Sequence, residues 1–114
     1  MNLDIQSHQN LAILTVQQSR MDATDASVFR TRFKQLLDNG MRDFLIDLTS
    51  VGFMDSSALG ALVSAYKLSH VNAGSVALCG VNGAVEELMT LTQLNCVFAC
   101  YSSVDQALSF PNAA

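Results

Sequence analysis

Apolar residues recur along the chain in two rhythms, one of period two and one of helical period, and their alternation predicts the elements. Leu3 to Ile5 and Leu11 to Val16 read as strands, with the polar stretch Ser7 to Asn10 as a hairpin turn between them. After the cluster Asp22-Ala23-Thr24-Asp25, residues Phe29, Phe33, Leu36 and Leu37 recur at helical spacing as far as Asn39-Gly40, a C-terminal stop. Arg30, Lys34 and Asp38 then fall on the opposite, solvated face. Phe44 to Leu48 is almost continuously apolar, which suits a central strand covered on both faces. A second helix is predicted from Ser56 to about His70, with Leu59, Leu62, Val63 and Tyr66 as its buried stripe and Asn72-Ala73-Gly74 as its end. Val76 to Cys79 is the next strand. A third helix places Val85, Leu88, Met89 and Thr92 on one face, with Glu86 and Glu87 in its first turn, where they complement the dipole. Val97 to Tyr101 reads as a last strand and Val104 to Phe110 as a short terminal helix.

The resulting order, β-β-α-β-α-β-α-β-α, predicts one α/β domain over residues 1–110, followed by a tail at 111–114 that contains the lone proline, Pro111. Its mixed sheet of four to five strands is expected to be mostly parallel beyond the initial hairpin, with about four helices flanking it. With 114 residues, half of them hydrophobic and only 14% charged, the chain is long enough for a single packed core and too apolar to be disordered.

Charge narrows the partners. The formal net charge is −4, and the six basic residues (Arg20, Arg30, Arg32, Lys34, Arg42, Lys67) form no long run. That argues against a nucleic-acid or anionic-membrane footprint and makes a protein the default partner. Leu88 to Val104 carries no charge, yet its Thr, Gln, Asn and Ser residues make it too polar to span a bilayer. Asp4 and the polar run Gln6 to Asn10 interrupt any apolar N-terminal leader, so the expected location is the cytoplasm, without membrane insertion. Cys79, Cys96 and Cys100 sit in apolar, strand-like runs and are expected to be small buried hydrophobes in a reducing compartment.

The most informative stretch is Phe53-Met54-Asp55-Ser56-Ser57-Ala58-Leu59-Gly60, where a turn after the central strand enters a helix through an acid and two hydroxyls. Asp55 is suited to the N-cap, accepting from backbone amides that otherwise lack partners. Ser56 then lies in the first turn, where free amides and the helix dipole favour added negative charge. Enzyme chemistry finds no support here. The G-x-S-x-G elbow is missing. His70 stands fourteen residues along the same helix, about 21 Å away, whereas a general base must reach within about 3 Å. No lysine follows Gly80-Val81-Asn82-Gly83 to make a phosphate loop, so these glycines read as strand-end and turn residues. Asp22, Asp25, Asp47 and Asp55 come without histidine, and a Cys-x-x-x-Cys pair lacks a zinc spacing, so neither a metal nor a cofactor is expected. Local chemistry alone leaves Ser56 open between plain capping and a phosphorylation switch.

The segment Asp47-Leu48-Thr49-Ser50-Val51-Gly52-Phe53-Met54-Asp55-Ser56-Ser57-Ala58-Leu59-Gly60 closely resembles the signature of STAS domains, in particular the bacterial anti-sigma factor antagonists. In that family an aspartate-ended strand leads through a hydrophobic turn into Asp-Ser-Ser/Ala-Gly-Leu at a helix start. The resemblance covers nearly the whole chain. Arg20-Met21-Asp22 is similar to the family's Gly-Arg-Leu-Asp turn, Leu78-Cys79-Gly80-Val81 to its fourth-strand exit, and Leu91-Thr92-Gln93-Leu94 with Val97-Phe98 to its ending.

The resemblance implies a non-catalytic partner-switching regulator. In its unphosphorylated form it docks on a GHKL-type serine kinase that is also the anti-sigma factor. Phosphorylation of Ser56 releases it, and a PP2C-type phosphatase resets it. Asp22 and Asp55 match the acids flanking the family's phosphoacceptor, and Ser57, Leu59 and Gly60 are further candidates for the partner surface, Leu59 also for the core. Two positions depart from the family. Ala58 replaces the usual glycine, adding a methyl where a kinase would approach the backbone, and Ser19 replaces the glycine of the turn before Asp22. The alternative keeps the fold and changes the output, to a target such as a biofilm regulator or to a lipid-transport complex. The lipid-transport relatives usually carry threonine at the acceptor position, which favours the switch here.

Overall fold

The computed structural model describes residues 1–109. Its main sheet has five strands in the order β1-β2-β4-β6-β7: β1 (Leu3–His8), β2 (Leu11–Val16), β4 (Asp43–Asp47), β6 (Ser75–Cys79) and β7 (Ala99–Tyr101). Only β1 runs antiparallel to its neighbour; the β2–β4, β4–β6 and β6–β7 pairs are parallel. Two-residue strands β3 (Arg20–Met21) and β5 (Phe53–Met54) form a separate small parallel ladder. The helices are α1 (Ala23–Asp38), α2 (Ser56–Val71), α3 (Gly83–Leu91) and α4 (Val104–Leu108), and a 3-10 turn occupies Leu94–Cys96. The mixed α/β fold expected from the alternation is the fold observed.

Strand pleating assigns the two faces of the sheet. Ala12, Leu14, Val16, Phe44, Ile46, Val76 and Leu78 point to one face and pack with the apolar residues of α1, α2 and α3. Phe33 is the centre of that core, its ring centroid 6.1 Å from Phe29 and 4.3 Å from Phe44. On the other face Ile13, Leu45, Ala77 and Cys79 meet Ala107, Val104 and Leu108 of α4. Parallel connections of one hand therefore stack α1 and α2 side by side on the same face of the sheet, with both N-termini at the same end.

Several expectations need correction. The first strand does not stop at Ile5: Ser7 pairs with Ala12 and His8 with Leu11, leaving Gln9-Asn10 as the turn, with Gln9 at φ +57°. Backbone pairing, not side-chain polarity, decides how far an edge hairpin runs. The buried stripe of α2 is Ala58, Ala61, Leu62, Ala65 and Ser69, while Leu59, Val63 and Tyr66 are half-buried at its margins. Small residues let α2 lie close to sheet and neighbouring helix, and the larger side chains straddle the edge. Tyr66 fills that margin edge-on against Phe98, with centroids 5.4 Å apart. Thr92 is exposed and closes α3, its hydroxyl donating to the carbonyl of Leu88 at 2.7 Å.

The last strand shortens to Ala99–Tyr101 because Val97 and Phe98 turn back after the 3-10 turn, their amides both donating to the carbonyl of Leu94 at 3.0 Å. The final helix ends at Leu108; its expected last residue, Phe110, and the tail at 111–114 lie outside the described residues.

The cysteines divide. Cys79 is fully buried in β6, whereas Cys96 and Cys100 are exposed, because the short edge strand β7 and the turn before it are not covered as an apolar run suggests. Burial, with the neighbouring Asp47 carboxylate in addition, pushes the Cys79 thiol up to about 12. A thiol in that state is not a nucleophile near neutral pH. Burial raises the Cys100 thiol as well. Disulfide-exchange reagent at pH 7.5 is therefore expected to titrate Cys96 fastest and Cys100 more slowly in the native protein, and Cys79 only after unfolding; three rapidly reacting thiols would contradict this packing.

Candidate functional site

The site is built on the small ladder. Arg20 pairs with Phe53 and Met21 with Met54, in parallel, so each strand hands the chain to an aspartate and then to a helix. Met21 and Met54 point into the core, while Arg20 and Phe53 face outward, with the guanidinium carbon 4.5 Å from the ring centroid. The carbonyl of Ser19 accepts from the amides of Gly52 (2.8 Å) and Phe53 (3.1 Å), and the amide of Asp55 donates to the carbonyl of Met21 at 3.2 Å. These bonds clamp the entry to α1 against the entry to α2. Ser19 does this with its backbone and does not take up a positive φ, which explains why a serine serves where glycine is usual.

Both aspartates are N-caps. The Asp22 carboxylate accepts from the amides of Thr24 (3.1 Å) and Asp25 (3.2 Å), and the Asp25 carboxylate accepts from the amide of Asp22 at 3.0 Å, completing a capping box. The amide of Asp22 is the first reason that the Asp25 carboxyl titrates below its ordinary value, burial opposing it. Asp55 Oδ1 accepts from the amide of Ala58 at 2.9 Å. Ser56, the first residue of α2, is exposed, and its hydroxyl makes no hydrogen bond to any described residue. Asp55 performs the capping; Ser56 is free of it. The amides of Ser56 and Ser57 likewise find no acceptor among the described residues and face outward from the helix end.

Of the other sequence-derived candidates, Ser57 and Gly60 are half-buried beside Ser56, and Leu59 is half-buried and packed against the core. Asp22 lies across the ladder at the start of α1, so the structure brings both acids and the serines to one end of the helix pair. Ala58 is fully buried. Its methyl therefore packs inward, into the core that α2 shares with the sheet. Sequence reasoning missed Arg20, Phe53 and Arg30. Arg30 reaches across from α1 so that a Cβ on Gly60 would lie 3.3 Å from its Nη2. The single signal for that contact was the glycine itself. Glycine in mid-helix costs about 1 kcal/mol relative to alanine and calls for a packing or functional reason.

Catalytic geometry does not form around Ser56. His70 sits in the last turn of α2, at the opposite end from the serine, and Asp55 makes no hydrogen bond to the Ser56 hydroxyl, its partner being the Ala58 amide. Among the described residues no three His, Cys, Asp or Glu gather as metal ligands, and no helix is long and apolar enough to cross a membrane. What this surface offers is a free hydroxyl on a rigid helix end, beside two fixed carboxylates and an exposed aromatic ring.

A sheet of this order, with its first three helices on one face, the last on the other and an Asp-Ser turn at the start of the second, defines a class. The chain belongs to the STAS domain family, whose model matches residues 2–107. It is 28% identical over 111 residues to the anti-sigma F factor antagonist of Paenibacillus polymyxa, an alignment that covers 96% of this chain and 95% of that protein. Among solved structures it is similar to an anti-sigma factor antagonist (STAS) domain protein from Planctomyces limnophilus, with a TM-score of 0.83 at 24% identity over 93% of this chain and 94% of the other. The Bacillus cell fate determinant SpoIIAA in its phosphorylated form superposes with a TM-score of 0.77 at 13% identity, over 94% of this chain and 96% of that one. The general type is that of the anti-sigma factor antagonists.

The capping box has a measurable signature. Because the folded-state pKa of Asp25 is depressed, the unfolded chain binds its proton first as pH falls, so the stability it contributes is present above its unfolded pKa and is lost as pH falls through the lower folded value. Urea unfolding from pH 7 down to pH 2.5 is expected to show a shallower loss of stability below about pH 4 for Asp25→Asn than for wild type. Identical acid limbs would remove Asp25 from that role. Asp22→Ala is expected to cost about 1 kcal/mol at pH 7 as the loss of a cap.

Proposed function

We propose that this chain is a phosphorylation-controlled partner-switching regulator of the anti-sigma factor antagonist type. In its unphosphorylated form it binds a GHKL-type serine kinase that doubles as the anti-sigma factor; phosphorylation of Ser56 releases it, and a PP2C-type phosphatase restores it. The observation that carries this reading is the division of labour at the start of α2: Asp55 satisfies the helix end, and the Ser56 hydroxyl is exposed and unbonded. A serine needed for capping would be held by the backbone. This one is presented.

Electrostatics gives the direction of the switch. A phosphoryl group brings about −1.5 to −2 charges and three acceptor oxygens. The free amides of Ser56 and Ser57 and the helix dipole tolerate that charge locally. A docked partner does not, because the phosphate joins the carboxylates of Asp22 and Asp55 in a surface that must shed water on contact. Ser57, Leu59 and Gly60 complete the contact surface, and Asp22 and Asp55 contribute as fixed negative points. The protein itself is non-catalytic in this scheme: the phosphate arrives and leaves through its partners. That a similar protein, SpoIIAA, has been solved in both unphosphorylated and phosphorylated forms with this fold supports the reading.

The decisive experiment uses a kinase of this class from the same genome. Incubation with ATP and peptide mass spectrometry are expected to place one phosphate on Ser56, absent from Ser56→Ala. In a pull-down, Ser56→Ala should retain the kinase and Ser56→Asp should lose at least tenfold in affinity. Undiminished phosphorylation of Ser56→Ala would move the acceptor elsewhere, and equal binding by both variants would remove charge as the switch.

A further inference from the structure

We infer that Arg30 is the intramolecular counter-charge of phosphorylated Ser56, an electrostatic latch that the unphosphorylated protein holds one helical turn away. The inference rests on the reading of Ser56 as a phosphoacceptor and concerns what the rest of the molecule does once the phosphate is there.

Three observations converge. Arg30 lies on the exposed side of α1, yet its guanidinium leans over onto α2 at Gly60, where the missing side chain makes room: a Cβ there would lie 3.3 Å from Nη2. Gly60 is four residues after Ser56, so the two positions share one face of α2, one above the other, separated by about 5–6 Å. Helical side chains tilt toward the N-terminus of their own helix. Because α1 and α2 start at the same end, Arg30 leans in the direction of Ser56.

The guanidinium is also uncommitted. Among the described residues it makes no hydrogen bond or ion pair, whereas the only side-chain ion pair on α1's exposed face joins Lys34 to Asp38 at 3.4 Å. Asp22 and Asp55, the acids nearest to hand, are engaged by backbone amides at their caps. Neither acid forms an ion pair with Arg30, and a phosphate on Ser56 would supply a more highly charged anion one helical turn from the guanidinium. Its geometry matches the planar, bidentate donor set of arginine.

With the latch closed, Arg30 neutralises part of the new charge inside the protein, so the phosphorylated form is stabilised against its own Asp22 and Asp55. The same movement withdraws a cation from the docking surface. Charge reversal at that surface is then larger than the phosphate alone produces.

The test installs phosphoserine at position 56 during translation, which makes it independent of whether any kinase chooses that residue. Phosphorus NMR then follows the second ionisation of the phosphate. The charged groups around it are Asp22, Asp55, Arg20 over the Phe53 ring, Arg30 and the helix-end amides, and only Arg30 is changed. Arg30→Ala and Arg30→Gln are expected to raise the phosphate's second pKa by a few tenths of a pH unit, the scale of a solvent-exposed ion pair, and Arg30→Lys by less. Arg32→Ala, which removes the same charge two residues along α1, should leave the titration within error of the parent. Unphosphorylated Arg30→Ala should melt as wild type does, since the residue is exposed and unpaired. No shift on removing Arg30, or an equal shift with Arg32→Ala, would overturn the latch. Failure of the kinase experiment would instead overturn Ser56 as acceptor while leaving this titration interpretable.

Discussion

The carbonyl of Ser19, accepting from both Gly52 and Phe53, and the bond from the Asp55 amide to Met21 hold the whole site together. Sheets of this kind fix strands, but the loops that leave them are free to wander, and functional side chains usually sit on such loops. Here the two loops leaving β2 and β4 are sewn to one another as β3 and β5. Met21 and Met54 anchor the ladder in the core, with relative exposures of 0% and 5%. Two aspartates then fall at equivalent positions directly after parallel strands, and both helices start in register. Lose the ladder and Asp22, Asp55 and Ser56 become unrelated residues on separate loops.

Much of this was legible in the sequence because it rests on periodicity and capping. The hairpin, the parallel strands and the four helices follow from the spacing of apolar residues, and Asp55 was recognisable as a cap from residue type and place alone. The small ladder was not legible. Two residues carry no period, and only the tertiary contact between two loops makes them strands. The α2 stripe misled for a related reason: large apolar residues at helical spacing marked the correct side of the helix, but alanines and a serine occupy its closest approach, because packing rewards fit over size. Cys96 and Cys100 misled because an apolar run at the edge of a sheet is covered only if something lies over it.

Arg30 shows another limit. A helical wheel correctly assigns it to the exposed side of α1, and nothing in its own neighbourhood distinguishes it from Lys34. Its contact is set by the residue that α2 does not have at position 60, and that is visible only when the two helices are placed side by side. Long charged side chains routinely cover surface far from their own backbone. Sequence fixes where such a chain is rooted. The neighbour decides where its charge ends up.

If Ser56 is the proposed phosphoacceptor, separating it from the cap has a physical consequence for how a signal is read. Were Ser56 itself the N-cap, phosphorylating it would disturb the bonds that start α2, and the message would be written as local unfolding. With Asp55 bonded to the Ala58 amide and Ala58 fully buried, the first turn is held by residues that the modification does not touch. The core contacts of Ala61, Leu62 and Ala65 extend that support along the helix. On the proposed reading, a phosphate on Ser56 would therefore be added and removed at little cost to the fold, and the two states would differ in charge and hydration at the surface. A partner then discriminates between them by the cost of burying that charge. This cost is concentrated at the interface, where a few kcal/mol is enough to separate bound from free. Rigidity at the start of α2 is thus a condition of the switch proposed here: the more firmly Asp55 holds the helix, the more completely a phosphate's free energy would be expressed in docking.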